Sequence, residues 1–237
     1  MAPIPIWLLV VLSPAMQFHP GQNVLDLGCG AAITSVFLAR EYGVEVWAAD
    51  LWIDPADNAA RIDEAGLEGR VHPLHTEARQ LPFDPGFFDA VVSIDAYHYF
   101  GTEVRYLAYL AQFVKEDGRL GVVCPANAHD PDDPGGIDLP PAMTAAYDAD
   151  WFTFRSPTRW ARHWSRSQTF AVELAEMVPG GREDWLRQAR AVAAMHPGVA
   201  ESLGSARLLE CAASQTLGFA RMVARRTVAS PPSFGPG

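Results

Sequence analysis

The chain has 237 residues, enough for one large α/β domain or one domain with a lid, and 49% of them are apolar, which excludes a disordered or fibrous chain. Lys and Arg number 18 against 28 Asp and Glu, a formal net charge of −10 that argues against nucleic acid and against an anionic membrane surface as partners. Cys29, Cys124 and Cys211 lie far apart, without the spacing of a disulfide scaffold or a zinc site, so no metal is expected.

The opening apolar run, 4–12, is interrupted by Pro5, is too short to span a bilayer and follows no Lys or Arg. It reads as part of a buried helix in a soluble, cytoplasmic protein. From 23 to 124, strand-like and helix-like segments alternate. Residues 23–27 form a short apolar strand that ends in a glycine turn, and 31–41 carry Ile33, Val36 and Phe37 on one helical face. Residues 44–49 are β-rich between Gly43 and Asp50; Asp54 and Pro55 then open a helix that Gly66 stops. Short strands follow at 71–74 and 89–94. Thr102 is expected to cap a helix bearing Val104, Leu107, Ala108, Ala111 and Val114, with Gly118 ending it and a strand at 119–124. Alternation of this kind predicts a Rossmann-like, mostly parallel sheet with helices on both faces.

The pattern then changes. Residues 125–157 are rich in Pro, Asp and Gly, show no strand, and read as a lid or binding loop inserted after the fifth strand. Ser156 and Pro157 open a helix with Trp160 and Trp164 on one face; 170–174 and 217–224 read as strands with a helix at 183–194 between them. The expected organisation is one domain over 1–228, with a helical cover at 1–22, a lid and acceptor region at 125–168, and a loose tail at 229–237.

The glycine turn carries the chemistry. Val24-Leu25-Asp26-Leu27-Gly28-Cys29-Gly30-Ala31-Ala32 runs from a strand through a turn whose missing Cβ atoms let a ligand approach the backbone. Asp50 closes the next strand, where a carboxylate can meet two ribose hydroxyls. A dinucleotide fingerprint needs a third glycine where Ile33 stands, and a P-loop lysine is absent. Asp26 would repel a pyrophosphate and suits a ligand with a cationic end.

Together with Ala48-Ala49-Asp50-Leu51, Thr76-Glu77-Ala78-Arg79-Gln80-Leu81-Pro82-Phe83 and Phe88-Asp89-Ala90-Val91-Val92-Ser93, this turn resembles the ordered motifs of class I S-adenosylmethionine-dependent methyltransferases, over roughly residues 20–125. The resemblance implies a seven-stranded sheet with its last strand antiparallel, 217–224 being that strand, and S-adenosyl-L-methionine as cofactor. It assigns Asp26 and the backbone at Gly28 and Gly30 to the methionine end, and Asp50 to the ribose. Leu51 and Trp52 go to the adenine face, Glu77 and Ala78 to the adenine edge, and Ser93 and Ile94 to the neighbourhood of the sulfonium. One departure is Ala32 in place of the family's frequent third glycine, which predicts a tighter turn.

Ser93-Ile94-Asp95-Ala96-Tyr97-His98-Tyr99-Phe100-Gly101 follows the fourth strand and, in such a fold, faces the donated methyl. It is not the Asn/Asp-Pro-Pro-Tyr/Phe sequence of enzymes acting on nucleobase or protein amide nitrogen, and it resembles the bacterial small-molecule branch. His98 is either a general base or the donor of a structural hydrogen bond, and Tyr97 either serves the reacting groups or packs in the core. Tyr99, Trp151 and Trp160 are expected to line a flat apolar acceptor site. The acidic run 130–138 lacks the spaced ligands of a calcium loop and reads as a solvated loop. The expected function is methyl transfer to O, C or N of a small apolar or aromatic metabolite, in secondary metabolism. The alternatives are a non-catalytic methyltransferase-like binding protein and, less favoured, a nicotinamide-dependent oxidoreductase. The opening segment is expected either to cover the cofactor or to make a homodimer contact, and a usual leading helix is expected to extend a few residues further.

Overall fold

The computed structural model describes residues 5–103, 105–130, 153–195, 209–210 and 216–227. The elements are α1 (Pro5–Met16), β1 (Asn23–Leu27), α2 (Ile33–Tyr42), β2 (Glu45–Asp50), α3 (Pro55–Glu64), β3 (Val71–His75) and β4 (Phe88–Ile94). Then come α4 (Tyr106–Leu110), β5 (Val114–Asn127), α5 (Pro157–Ser165), β6 (Phe170–Met177), α6 (Gly181–Met195) and β7 (Leu217–Arg226). One seven-stranded sheet holds them in the order β3-β2-β1-β4-β5-β7-β6, parallel except for β7, which enters antiparallel between β5 and β6. The antiparallel last strand is therefore as expected.

The central strands are apolar on both faces because both are covered. One core joins the sheet to α1, α2 and α6 through Leu8, Leu12, Leu38 and Trp185; the other joins it to α4 and α5 through Tyr106, Leu107, Trp160 and Trp164. Helix α1 lies directly on the sheet. A Cβ at Gly121 of β5 would stand 2.3 Å from Met16 Sδ, so the glycine admits the helix. Helix α5 starts as expected: Ser156 Oγ accepts the Arg159 N–H at 3.1 Å, and Pro157 occupies the first turn. Its Trp160 and Trp164 rings lie 5.5 and 5.6 Å from the ring of Tyr97, and all three side chains are wholly buried.

Two boundaries differ from expectation. The helix expected from Thr102 is confined to α4 plus a 3-10 turn at Ala111–Phe113, and Val114 pairs with Phe88 as the first residue of β5. A β-branched residue beside an apolar strand is drawn into the sheet. At its other end β5 runs on through Pro125 to Asn127, paired with β7 alone once β4 has ended at Ile94 opposite Val123. A proline without an N–H is tolerated where one side of a strand is unpaired. Most of the expected lid (131–152) and the tail (229–237) lie outside the described residues.

Below the tip of β1, the wholly buried Asp26 ties strand to helix. Its Oδ2 accepts from Thr34 Oγ1 at 2.6 Å and from Ser35 Oγ at 2.7 Å, both on the first turn of α2, while Oδ1 has no partner among the described residues. Desolvation outweighs the two hydroxyl bonds and pushes the carboxyl up to about 6.

Two stability measurements follow from this packing. A Cβ at Gly101 would stand 2.0 Å from the buried ring of Tyr97, so Gly101→Ala should lose about 1–3 kcal/mol in urea unfolding, whereas an unchanged midpoint would contradict the ring's placement. The raised value at Asp26 makes the folded state lose stability as pH climbs from the ordinary 3.8 to about 6, because the charge is harder to hold folded than unfolded. Asp26→Asn cannot ionise, so relative to the parent it should gain a few kcal/mol across that window and hold a constant difference above it, measured by unfolding at a series of pH values.

Candidate functional site

A cavity of about 370 Å³ opens over the carboxyl ends of β1, β2, β3 and β4. The glycine turn forms its floor. Gly28 (φ 76°) and Cys29 both donate their N–H to Ala49 O, at 2.8 and 3.1 Å, which latches the turn onto β2. A Cβ on Gly28 would stand 2.3 Å from Ala96 Cβ, so the turn dovetails with the chain leaving β4. A Cβ on Gly30 (φ 55°) would meet no protein atom within 4 Å; glycine here leaves the cavity its space. Ala32 adopts φ 56°, a left-handed conformation costing a residue with a Cβ about 1–2 kcal/mol.

Asp50 organises this turn. Its Oδ2 accepts the Gly30 N–H at 2.8 Å, and its Oδ1 accepts the N–H groups of Trp52 and Ile53 at 2.8 and 3.0 Å. Both lone pairs of Oδ1 are thereby engaged, and Oδ2 keeps one for a ligand hydroxyl. From α3, the buried Asn58 donates to Gly30 O at 2.9 Å and receives a bond from Arg61 Nη1 at 3.0 Å. Sequence reasoning did not single out Asn58; an amide in an amphipathic helix carries no signal until the helix is docked.

Of the expected site residues, Gly28, Gly30, Asp50, Leu51, Trp52, Glu77, Ala78, Ile94 and Tyr99 line the cavity. Trp52 is 71% exposed and meets Tyr99 at 5.4 Å, forming an aromatic lip at the mouth. Glu77 is engaged by Arg79, through Nη1 at 2.8 Å and the backbone N–H at 2.9 Å.

The others are placed elsewhere. Asp26 sits behind the cavity wall, bonded to α2, because both faces of a central strand are covered and its side chain meets a helix rather than a ligand. Ser93 is wholly buried and donates to Leu27 O at 2.8 Å. Tyr97 and Trp160 belong to the core under α5 and do not line the cavity; the 3-10 turn at Tyr97–Tyr99 carries the buried Tyr97. His98 is buried against Tyr99 and Phe154, with ring centroids 4.0 and 5.5 Å away, and does not line the cavity. Desolvation lowers its pKa to about 4, so the imidazole is neutral at pH 7. Trp151 lies outside the described residues.

One lining residue was not anticipated. Asp95, immediately after β4, donates its N–H to Val123 O at 2.7 Å and then turns through φ 58°, which aims its side chain at the cavity. Asp is among the few residues that tolerate this conformation. Desolvation raises its carboxyl to about 7.

Residues 24–118 match a family model described as a methyltransferase domain. The chain is 34% identical over 110 residues to demethylmenaquinone methyltransferase of Mycolicibacterium gilvum, covering 46% of this chain and 44% of that one. It is 29% identical over 108 residues to methyltransferase GfsG of Streptomyces halstedii, covering 45% and 39%. The matches thus span less than half the length of these relatives. In fold the chain is similar to the [4+2]-cyclase SpnF, with TM-score 0.75, 22% identity and 94% and 80% of the two chains covered. It is also similar to geranyl diphosphate C-methyltransferase of Streptomyces coelicolor A3(2), with TM-score 0.72, 15% identity and 92% and 76% covered. The sheet order and the glycine turn with its acid-tipped second strand lie in and around the segment 24–118 that matches the methyltransferase domain model, and the fold is that of the solved structures named here.

Proposed function

We propose that the protein moves a methyl group from S-adenosyl-L-methionine to an O, N or C atom of a small apolar or aromatic acceptor. The observation that carries this reading is the cavity laid across four adjacent strand tips, with a glycine-cleared floor at β1 and a backbone-anchored carboxylate at β2. That arrangement fits a nucleoside: Gly30 leaves room a Cβ would fill, and Asp50, fixed by three backbone N–H groups, keeps a lone pair on Oδ2 for a ribose hydroxyl. Leu51 and Trp52 offer apolar cover to a base, and Glu77 and Ala78 stand at its outer edge after β3.

Bound S-adenosylmethionine supplies an electrophilic methyl on a sulfonium. The chain's own contribution is positioning. Ile94, Ala96 and Phe100 form an apolar part of the wall, and in-line alignment is the largest available source of acceleration. His98 is the secondary contributor. Its neutral ring can accept a proton above about pH 4, but the same burial that keeps it neutral makes the imidazolium costly, so it is a weak base. The region 125–168 is taken as the acceptor cover, 1–22 as a second cover, of which Pro5 reaches the cavity rim, and 1–228 as one domain. The same reading makes this a cytoplasmic enzyme acting on a diffusible acceptor; among the described residues no helix is long and apolar enough to cross a membrane.

A second reading has its own support. A protein named a [4+2]-cyclase has this fold, and here neither His98 nor Tyr97 lines the cavity. A nucleoside-binding protein with another chemistry is separated from the first reading by methyl turnover across an acceptor panel of phenols, amines and quinols.

Two outcomes check the main reading. Calorimetric titration with S-adenosylhomocysteine should show binding, with no heat for NADH, and Asp50→Asn should weaken it about tenfold or more; equal affinity in the two proteins would contradict the ribose assignment. Once an acceptor is found, His98→Ala should reduce turnover by less than about 100-fold, the low end of general-base effects, with affinity for S-adenosylhomocysteine unchanged. A loss of 10⁴-fold would make His98 the principal base.

A further inference from the structure

Helix α5 carries an arginine stripe that the cavity does not use. Residues 151–172 contain Arg155, Arg159, Arg162 and Arg166 and no Asp or Glu, in a chain of net charge −10. Arg159, Arg162 and Arg166 recur at helical spacing and share one face. Pro157, Trp160 and Trp164 are buried on the other face, while Arg162 and Arg166 are exposed. Arg155, just before the helix cap, lies over the Trp160 ring at 5.1 Å. Arg159 to Arg166 covers about 10 Å along the axis. The positive charges are close enough to act on one another. After desolvation, Arg159 is the next cause that lowers the Arg155 pKa, and Arg155 and Arg166 add to the desolvation that lowers His163.

On other surfaces arginines have acids beside them. On α6, Arg187 pairs with Asp184 and Arg190 with Glu210; on β7, Arg221 pairs with Glu176 and Arg225 with Glu173. The side chains of Arg162 and Arg166 make no hydrogen bond or ion pair with any described residue. The same helix is tied to the cavity wall. His163 Nε2 lies 3.1 Å from Gly101 O, and Arg155 Nη2 donates to Thr102 O at 3.4 Å. Gly101 and Thr102 directly follow Phe100, which lines the cavity. A partner seated on the stripe therefore lies about one helix diameter, roughly 10 Å, from the wall.

The form of the stripe selects its partner. Arg162 and Arg166 stand on an exposed helix face outside the cavity, which gives a small anion no enclosure. An extended polyanion, a nucleic acid or an anionic bilayer, also meets the acidic remainder of the chain. A compact protein with an acidic face does not, because at physiological salt charges more than about 8 Å away are largely screened. We propose that the arginine face of α5 docks an acidic protein surface beside the cavity. Exposed ion pairs are individually weak, so attraction confined to one face of an otherwise acidic chain sets the partner's orientation more than its affinity. The docking is independent of what the cavity binds.

The test follows the fluorescence anisotropy of a labelled poly-L-glutamate peptide of about 20 residues, titrated with the full chain at low ionic strength. The parent should bind saturably and release the peptide as salt rises. Arg162→Glu/Arg166→Glu should bind about tenfold or more weakly, and Arg162→Lys/Arg166→Lys within about threefold of the parent. Arg187→Glu/Arg190→Glu on α6 makes the same change of net charge on another surface and should bind like the parent. Circular dichroism shows that each variant is folded. No saturable binding by the parent would overturn the proposal, as would an equal loss in the two charge-reversed pairs. Tighter binding of a single-stranded DNA of about 20 nucleotides, or of phosphatidylglycerol vesicles, through the same two arginines would also overturn it, by giving the stripe to a different polyanion.

Discussion

A single carboxylate at the tip of β2 holds the site together. Asp50 accepts one N–H from the glycine turn after β1 and two from the loop after β2, so two strand-ending loops share one anion as their common partner. Backbone N–H groups at strand ends have no ladder to join, and without Asp50 they would compete for water inside a cavity lined mainly by apolar groups. The turn is further latched by two N–H bonds to Ala49 O and wedged by Ala96 beneath Gly28. The floor of the cavity is therefore set before any ligand arrives, which is the condition for binding energy to go into alignment rather than into ordering loops.

Around this fixed floor, the second structural theme is the division of acids by environment. Asp26 lies within β1, Asp50 ends β2 and Asp95 follows β4, within one sheet region, yet they differ in what surrounds them. Asp26 is sealed under α2 with two hydroxyl donors, Asp50 is held by three backbone donors, and Asp95 lines the cavity. Burial outweighs the favourable interactions of both Asp26 and Asp95 and raises their carboxyls. The same residue type thus serves as a helix tether, a loop organiser and an open anionic group, and the assignment follows from donors within reach rather than from order along the chain.

Much of the fold was legible in the sequence because period and punctuation agreed. Val24-Leu25-Asp26-Leu27 followed by Gly28-Cys29-Gly30, the β-rich run ending at Asp50, and the Ser156-Pro157 cap each carry a local mechanism that the tertiary structure does not override. Orientation is what the sequence leaves open. Alternation along a strand says which residues share a face, but not whether a helix or a ligand covers that face. After β4, one left-handed residue and a 3-10 turn reset the phase of the chain: Asp95 turns outward, Tyr97 inward under Trp160 and Trp164, and His98 into a pocket beside Phe154. No propensity encodes that rotation. Nor could the end of α4 be read, because Val114 is decided by its pairing with Phe88, a contact across the sheet.

The account turns on whether a nucleoside thioether lies across these strand tips. A crystal structure with S-adenosylhomocysteine reads this directly. The ribose hydroxyls are expected on the Asp50 carboxylate, the base between Leu51 and Ala78, and the amino-acid tail over Gly28 toward β4. Ligand density elsewhere, or a ribose turned away from Asp50, would contradict it.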